Sequence, residues 1–544
     1  MNLQLIKTSC MDKVFLDGPA RGSALLCTSH FGGERFAFQY ALCADTDARM
    51  RVVLTAPSFV TIHLVGHVPA QFVMYADHDD DVLTDRPGLF PDPLMPLPET
   101  LFLPAGQWHT LWVESLGTDA APGAYDVEIC IYDGDALIAH DIQTLTLLPG
   151  TLPPQELLHT NWVHYDCIAA RHGCLPFDED FWGILPRWLT NAADHGINCL
   201  LTPLFTPPLD TAVGGERTTA QLVGVEQHGD TYTFDFSQLT RFIALAQRCG
   251  ITHFELSHLF TQWGAKAAPK IMLWRDGLLE RAFGWGTPAT GPEYANFLRQ
   301  FLPQLTALLR QLGLADRVFF HVSDEPSQSN MESYASARAL VAPLIEGFAC
   351  FDALSDYDFY REGLVPLPVP SNDHIAPFVQ NGVEPLWTYY CCGQYKQVAN
   401  RFFCFPTYRN RILGTQMFLH DCKGFLHWGY NFYNTQYSKR PINPWAVTDA
   451  GGAFPAGDSF IVYPGPDGQV LSSTRQKVFH IALQDQIALD WAAQLLGREV
   501  VENTIKQLAR QDITFANYPR NAEFCQLLRM RINAMMIGAM EAVQ

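Results

Sequence analysis

Arg317-Val318-Phe319-Phe320-His321-Val322 is an apolar run that ends in the polar sequence Ser323-Asp324-Glu325-Pro326. A short run rich in aromatic and β-branched residues indicates a buried strand, and proline ends it because proline cannot donate to a backbone ladder. Helical patterns lie on both sides of this strand, over residues 292–312 and 331–345. The order helix, buried strand, helix is typical of a parallel α/β sheet.

The same alternation continues in both directions and gives eight predicted strands. They cover residues 157–165, 197–204, 251–256, 317–322, 349–354, 364–369, 385–390 and 424–428. Eight strands separated mostly by helices predict a (β/α)8 TIM-like barrel over residues 156–434. The alternative is an open doubly wound sheet, but the G-x-G-x-x-G turn of its dinucleotide-binding form is absent from the sequence.

The regions that flank the predicted barrel have different patterns. Residues 1–150 contain many short apolar or alternating runs between polar turns, which predicts an N-terminal β-sandwich domain. Leu148-Pro149-Gly150-Thr151-Leu152-Pro153-Pro154 is a stiff linker between the two regions. Residues 435–544 read as a loop-rich segment followed by C-terminal helices that pack on the barrel. We therefore expect a multidomain protein.

Composition excludes several classes of function. The 544 residues carry 36 Lys and Arg against 56 Asp and Glu, a net charge of −20, which argues against nucleic-acid binding. No apolar stretch reaches the roughly 18 residues of a membrane span. Fourteen cysteines without a C-x-x-C pair, together with an N-terminus that lacks a signal pattern, predict buried thiols and a cytoplasmic location. The sequence leaves a homo-oligomer open.

Catalytic groups of such barrels lie at the carboxyl ends of the strands. The candidates there are carboxylates, imidazoles, amides and aromatic rings, which together suit the hydroxyl groups and flat C–H faces of a sugar. Gly-rich loops with Arg or Lys, which a phosphate would require, are scarce. We therefore predict a small-molecule glycoside or oligosaccharide as substrate. The candidate residues are His164, Tyr165, His258, Asp324, Glu325, Asn372, Asp373, Trp387, Tyr389, Tyr390, Trp428 and Asn431.

The adjacent acids Asp324 and Glu325 are the strongest candidates for catalysis. Neighbouring side chains at a strand end diverge, so that one acid can protonate a leaving oxygen while the other contacts a different atom of the substrate. The alternative is that Asp324 caps the next helix and Glu325 is simply solvated. Their place at the end of a barrel strand favours catalysis.

No cofactor or metal ion is expected. His164, His258, His374 and Asp373 show no H-x-H or H-E-x-x-H spacing, and the G-x-S-x-G elbow of serine hydrolases is absent. Strand alternation sends about half of the aromatic residues near strands seven and eight into the barrel core, and the rest would form a stacking surface. Trp162 and Trp263 are weaker candidates of this kind.

Four segments resemble glycoside hydrolase family 123 and the related "domain of unknown function 4091" proteins. The first is His321-Val322-Ser323-Asp324-Glu325-Pro326, and the second is Glu384-Pro385-Leu386-Trp387-Thr388-Tyr389-Tyr390-Cys391-Cys392. The third is Gly424-Phe425-Leu426-His427-Trp428-Gly429-Tyr430-Asn431, and the last pairs Tyr463-Pro464-Gly465 with Ser472-Ser473-Thr474-Arg475. The resemblance covers roughly residues 155–500.

The resemblance implies a retaining exo-β-N-acetylhexosaminidase of the β-N-acetylgalactosaminidase type, in which the 2-acetamido oxygen of the substrate attacks the anomeric carbon. Glu325 would then be the general acid and base, and Asp324 would stabilise the acetamido nitrogen. Tyr389 or Tyr390 would bind the acetamido oxygen, and Trp387 and Trp428 would wall the sugar. Two alternatives remain open: a glycosidase on a non-acetamido sugar with a carboxylate nucleophile, and a catalytically inactive carbohydrate-binding barrel.

Overall fold

The computed structural model describes residues 1–18 and 23–543. The described residues of the N-terminal region form ten strands in two five-stranded sheets, ordered β1-β3-β8-β5-β6 and β2-β10-β9-β4-β7. The strands are β1 (Leu3–Ser9), β2 (Ser29–Gly32), β3 (Phe36–Ala44), β4 (Ala48–Thr55), β5 (Val60–Ala70), β6 (Gly88–Pro96), β7 (Leu101–Leu103), β8 (Trp108–Ser115), β9 (Gly123–Asp133) and β10 (Ala136–Thr151).

These two sheets pack face to face around a shared apolar core. Val127, Ile129 and Ile131 alternate along β9 and are all fully buried, while the residues between them are partly exposed. Phe38 and Tyr40 on β3 of the other sheet belong to the same core. Because successive side chains of a strand point to opposite faces, this pattern buries one face of each sheet. The predicted β-sandwich is confirmed.

The following region alternates strands with helices. Its elements are β11 (Leu158–Asn161), α1 (Tyr165–His172), α2 (Glu179–Asp194), β12 (Cys199–Thr202), β13 (Gly224–His228), β14 (Thr231–Asp235), α3 (Ser237–Arg248), β15 (His253–Leu256), β16 (Ile271–Arg275), β17 (Leu278–Phe283), α4 (Pro292–Gln311), β18 (Val318–Phe320), α5 (Met331–Val341), β19 (Ala349–Ala353), α6 (Tyr357–Arg361), β20 (Leu367–Val369), α7 (Ala376–Gln380), β21 (Leu386–Tyr389), α8 (Tyr408–Leu419) and β22 (Cys422–His427).

Eight of these strands form one parallel barrel, as the sequence predicts. The order in the sheet is β20-β19-β18-β15-β12-β11-β22-β21. Barrel strands that follow one another along the chain are therefore neighbours in the sheet. The barrel closes between β20 and β21, where the Asn372 N–H donates to the Tyr389 carbonyl at 2.9 Å and the Tyr389 N–H donates to the Pro370 carbonyl at 3.1 Å. The open doubly wound alternative is therefore wrong.

Two parts of the barrel region are not predicted by the sequence analysis. Strands β13, β14, β16 and β17 form a separate four-stranded sheet inserted between barrel strands. Helix α8 is buried on all sides, including Arg409 and Arg411, and so it lacks the amphipathic stripe by which surface helices are recognised. Arg411 pairs with Asp485 at 2.7 Å, a contact that cannot be anticipated from spacing.

The C-terminal elements are the short strands β23 (Val462–Pro464) and β24 (Val470–Ser472) and the helices α9 (Thr474–Leu496), α10 (Arg498–Ala509) and α11 (Ala522–Val543). Helix α9 crosses α8 very closely, because a Cβ placed on Gly414 would lie 1.9 Å from the Ala482 carbonyl oxygen. Arg475, at the start of α9, forms a bidentate ion pair with Asp92 of β6. The C-terminal helices thus pack on both the barrel and the sandwich.

Among the described residues, no helix is long and apolar enough to cross a membrane.

Candidate active site

A pocket with a cavity volume of about 180 Å³ opens at the carboxyl ends of the barrel strands. It is lined by residues from several loops that follow these strands, including loops beyond β22. The lining residues are Trp162, Leu209, Asp210, Gln262, Trp263, Asp324, Glu325, Ala353, Tyr389, Cys391, Cys392, Leu426, Trp428, Gln436, Tyr437 and Phe454. Carboxylates and aromatic rings dominate the polar and apolar parts of this wall.

Asp324 and Glu325 reach the pocket from the segment that follows β18. Two hydrogen bonds hold this segment against the loop that follows β15. The Ser323 hydroxyl donates to the Thr261 carbonyl at 2.8 Å, and the Trp263 N–H donates to the Asp324 carbonyl at 3.1 Å. Glu325 has a φ of +46°, in the left-handed region that non-glycine residues rarely adopt. Such conformations persist where the surrounding structure enforces them, commonly at active sites.

The environment of the two acids favours their protonated forms. Burial and the nearby negative charge of Glu325 raise the pKa of the Asp324 carboxyl well above its ordinary value. Loss of water also raises the pKa of Glu325, although a hydrogen bond from the Tyr389 hydroxyl at 3.1 Å opposes this rise. Because Glu325 is exposed within the pocket and Asp324 is half-buried, we assign the larger rise to Asp324. Two adjacent carboxyls of this kind retain a proton to a higher pH than isolated acids do.

A chain of buried charged groups lies in the barrel core next to the acids. His321 lies between two carboxylates, with Nε2 at 2.5 Å from Glu255 Oε1 and Nδ1 at 2.8 Å from Asp352 Oδ1. Glu255 also accepts hydrogen bonds from Trp162 Nε1 and from the Thr160 hydroxyl, both at 2.6 Å. All three members of the Glu255–His321–Asp352 chain are buried and have hydrogen-bond partners, as buried charges must to be tolerated.

His321 is the positive centre of this chain. Burial alone would lower its pKa, but the ion pairs with Glu255 and Asp352 outweigh burial and raise the pKa to about 10. His258 stacks on the His321 ring with a centroid distance of 4.1 Å, and burial next to this cation holds the pKa of His258 well below 6.5. The site therefore contains a fixed imidazolium beside a neutral imidazole.

Aromatic rings form the walls of the pocket. The Trp428 indole N–H donates to Asp458 Oδ2 at 3.0 Å, and its ring meets Phe454 edge to face at 5.4 Å. Trp263, whose side chain is exposed, meets Tyr437 edge to face at 5.9 Å. Rings held in fixed orientations provide flat apolar surfaces against which a sugar can pack.

The structure brings four of the twelve candidate residues together in the pocket: Asp324, Glu325, Tyr389 and Trp428. Trp387 lies in the barrel core, where it stacks on Phe351 at 5.2 Å, and Tyr390 packs against Phe425 on the outer side of the barrel. Strand alternation explains why Tyr390 faces outward, because Trp387 and Tyr389 lie on the inner face of the barrel and Tyr390 follows on the opposite face.

The other six candidates lie near the barrel mouth without lining the pocket. Asn431 accepts from the His164 N–H at 2.8 Å and donates to the His164 carbonyl at 3.1 Å, a purely structural pair. The Tyr165 hydroxyl donates to the Leu201 carbonyl at 2.7 Å. Asn372 donates to the Ala399 carbonyl at 2.9 Å. His258 is buried against His321. Asp373 is exposed and accepts a hydrogen bond from the Ser371 hydroxyl at 2.6 Å. Backbone carbonyls and neighbouring side chains thus occupy most of these groups.

Several pocket residues are missed by the sequence analysis. Asp210, Gln262, Gln436 and Tyr437 lie in long loops after the strands, where no periodicity or motif marks them. The two acids that flank His321 are missed because each lies inside an apolar strand. A buried acid within such a strand is itself a signal, since an ionised side chain there needs a partner. Trp162 and Trp263, the weaker aromatic candidates, do line the pocket.

Within the part of the chain that the structure describes, two groups of side chains have ligand atoms close enough together for a metal ion. His258, His321 and Asp352 form one group, and Glu128, Cys130 and His140 on the sandwich form the other. In the first group, His321 and Asp352 already bond to each other at 2.8 Å. A metal ion there would have to replace this ion pair.

Comparison with known proteins places the chain in a family. The model of "Glycoside hydrolase 123, catalytic domain" matches residues 162–492. A family 123 glycoside hydrolase from Clostridium perfringens, studied for glycolipid glycan hydrolysis, superimposes with a TM-score of 0.74 at 14% identity, covering 100% of this chain and 98% of that chain. A family 39 glycoside hydrolase from Bacteroides cellulosilyticus covers 78% of this chain and 77% of its own, with a TM-score of 0.34 at 9% identity. No curated protein matches the sequence.

The chain is a glycoside hydrolase. The family model covers more than half of the chain, and the chain belongs to glycoside hydrolase family 123.

Proposed function

We propose that the protein is a retaining exo-β-N-acetylhexosaminidase of the β-N-acetylgalactosaminidase type, and that the 2-acetamido group of the substrate is the nucleophile. The observation that carries the proposal is the position of Asp324 and Glu325 as adjacent acids in one pocket at the end of β18. Two neighbouring acids can serve two atoms on one side of a sugar, the glycosidic oxygen and the acetamido nitrogen.

In this mechanism, Glu325 donates its proton to the leaving oxygen while the acetamido oxygen attacks the anomeric carbon. A general acid has to hold its proton, and the loss of water that raises the pKa of the Glu325 carboxyl acts in this direction. Asp324 stabilises the positive charge that develops on the acetamido nitrogen, and this charge together with that of His321 lowers the raised pKa of Asp324 and favours its ionised form in the complex. This stabilisation acts mainly in the transition state and so increases the rate. Glu325 then takes the proton of the water that opens the oxazolinium ion.

The neighbours of the two acids support these roles. The Tyr389 hydroxyl reaches Glu325 Oε1 at 3.1 Å, and it also lies 3.4 Å from the Ser355 hydroxyl, so that its position is fixed from two sides. Trp428 and Trp263 offer apolar rings to the faces of a single sugar residue. His321 supplies a fixed positive charge that favours the ionised form of Asp324.

The test is the Glu325→Gln variant on two aryl β-N-acetylgalactosaminides, one with a 4-nitrophenyl and one with a 2,4-dinitrophenyl leaving group. Loss of a general acid is expected to reduce kcat/KM by about 10²- to 10⁴-fold on the 4-nitrophenyl substrate. The reduction should be much smaller on the 2,4-dinitrophenyl substrate, because that leaving group departs without protonation. Glu332→Gln, at an exposed position on α5, is the matched control and should behave like the wild type.

Substrate assistance has a separate test. A thiazoline analogue of N-acetylgalactosamine resembles the cyclic intermediate and should inhibit competitively.

Wild-type turnover by Glu325→Gln on both substrates would contradict the role of Glu325. Activity on aryl galactosides that lack the acetamido group, without inhibition by the thiazoline, would contradict substrate assistance alone.

A second candidate is a glycosidase that acts on a non-acetamido sugar with an enzyme carboxylate as the nucleophile. The observation in its favour is Asp210, a third carboxylate in the lining of the pocket. In such an enzyme, fluorinated sugar inhibitors would label Asp210 covalently.

We also propose a cytoplasmic location. All fourteen cysteines have free thiols, and eight of them are buried, as in proteins of reducing compartments. Loss of activity on oxidation, restored by a thiol reductant, is the expected behaviour.

A further inference from the structure

Asp210 contributes a carboxylate to the pocket from the loop between β12 and β13. It is one of three acids among the described residues that line the pocket, together with Asp324 and Glu325. The mechanism proposed above gives both of the other acids a role in bond cleavage and gives Asp210 none. A half-buried acid that faces a sugar-binding cavity requires an explanation, because burial of an unused carboxylate costs stability.

The backbone of Asp210 is fixed by loops from two other parts of the barrel mouth. Its N–H donates to Gln262 Oε1 at 2.8 Å, and its carbonyl accepts from the Ser438 hydroxyl at 2.7 Å. The φ angle of Asp210 is +39°, and Tyr437 and Ser438 have similar left-handed values of +61° and +53°. These bonds hold three non-glycine residues in rarely adopted conformations, and together they aim one carboxylate at the cavity.

Only half of this carboxylate is used within the protein. Oδ2 accepts a hydrogen bond from the Tyr437 N–H at 3.0 Å, whereas no described residue donates to Oδ1. The buried cation Arg217, whose charge lowers the pKa of Asp210, is engaged with both oxygens of Asp166, at 2.9 Å and 2.6 Å. Burial raises the pKa of Asp210 to about 6, which leaves the carboxylate ionised at neutral pH. An ionised oxygen without a donor is a strong acceptor for a hydroxyl group.

We propose that Asp210 is the specificity residue of this site and binds a ring or exocyclic hydroxyl group of the sugar through Oδ1. The inference rests on the proposed glycosidase function and extends it to recognition of the sugar. A neutral sugar offers hydroxyl donors, and a site built to bond a hydroxyl discriminates strongly against sugars that lack it, because the carboxylate then stays unpaired.

The test combines Asp210→Asn with substrates that lack single hydroxyl groups. The kinetic constants of the wild type and the variant are measured on the aryl β-N-acetylgalactosaminide and on its 3-deoxy, 4-deoxy and 6-deoxy analogues. Asp210→Asn is expected to lower kcat/KM on the complete sugar about ten- to hundred-fold, the size of a lost hydrogen bond to a charged group. On one deoxy analogue, wild type and variant should have nearly the same kcat/KM, because the partner of Asp210 is already missing.

Ser438→Ala removes a hydrogen bond that helps to aim Asp210 and keeps the carboxylate. It should cause a smaller loss on the substrates that carry the hydroxyl partner of Asp210 and almost none on the analogue that lacks it. Glu332→Gln, at an exposed position on α5, is the control that should leave the kinetic constants on all four substrates unchanged. Equal losses for Asp210→Asn on all four substrates, or no loss on any, would overturn the inference. Such results leave the role of Glu325 untouched, because the leaving-group effect of Glu325→Gln is measured independently of them.

A different failure would identify Asp210 as the nucleophile. In that case, kcat of Asp210→Asn would collapse on every substrate. Added azide would restore turnover by displacing the aryl group from the opposite face, and the product would be the α-glycosyl azide, inverted relative to the β-substrate. That result would overturn both hydroxyl recognition by Asp210 and substrate assistance. Thermal unfolding of each variant, followed by circular dichroism, separates these outcomes from loss of the fold.

Discussion

Replacement of Asp352 by Asn tests whether the His321 ring in the barrel core is positively charged in the folded protein. The substitution preserves size and removes the charge of one of the two carboxylates that hold His321. Asp352 also accepts a hydrogen bond from the Tyr334 hydroxyl at 2.5 Å, which Asn can still accept through its amide oxygen. The main loss is therefore the ion pair with His321, and Glu255 remains as the other partner.

The size and sign of the effect follow from the His321 pKa. A rise from 6.5 to about 10 corresponds to on the order of 5 kcal/mol of favourable interaction with the charged ring, shared by two carboxylates. We expect Asp352→Asn to lower the free energy of unfolding by about 3 kcal/mol, near the lower limit for breaking a buried pair. A raised pKa stabilises the fold fully below the unfolded value of 6.5, and this contribution disappears as the pH rises through about 10.

The difference in unfolding free energy between wild type and Asp352→Asn should therefore be largest near pH 6.5 and should shrink towards pH 10. Urea unfolding followed by tryptophan fluorescence at pH 6.5, 8 and 9.5 measures this difference. Groups that titrate in the same way in both proteins contribute equally to both free energies and so do not affect the difference. Asp358→Asn, at an exposed position of α6, is the control with no expected change. A difference that stays constant or grows with pH would refute a charged His321.

Three further substitutions test packing and contacts between regions. Gly424→Ala places a Cβ about 2.0 Å from Trp387 Cδ2 and should destabilise the barrel by about 1–3 kcal/mol or more, measured by urea unfolding. Trp428→Phe removes the donor to Asp458 and leaves that buried carboxyl short of a partner. We expect the free energy of unfolding to fall by about 1–3 kcal/mol and KM to rise. An unchanged KM would contradict the role of Trp428 in the pocket wall. Arg475→Met leaves buried Asp92 without its cation and should cost about 3–5 kcal/mol, visible as a lower melting temperature.

The central fold is predictable because its signals are local. Each barrel strand is a short apolar run, and the run that ends at Val322 carries both the strand and the acids that follow it. The inserted sheet is harder to predict, since β17 reads Leu-Leu-Glu-Arg-Ala-Phe and is mostly exposed, so that the alternation of a half-buried strand is weak. Helix α8 is missed for the opposite reason, because burial on all faces removes its periodicity.

The candidate site is only partly predictable. Position at a strand end identifies Asp324, Glu325, Tyr389 and Trp428, all of which line the pocket. It also selects residues such as Asn431, whose amide is occupied by the His164 backbone. Sequence position gives the end of the barrel at which a side chain lies, but it does not give the direction in which the side chain points or the groups that already bond to it.

The sequence by itself determined the eight-stranded barrel, the sandwich before it and the adjacent acids, because strand periodicity and proline stops act over a few residues. Tertiary structure alone decided that Asp210 joins those acids, that Glu255 and Asp352 enclose His321, and that Trp387 faces the core. The members of these groups are separated by tens to hundreds of residues in the chain. Only closure of the barrel brings the members of each group together, and the protonation of the charged ones depends on that proximity.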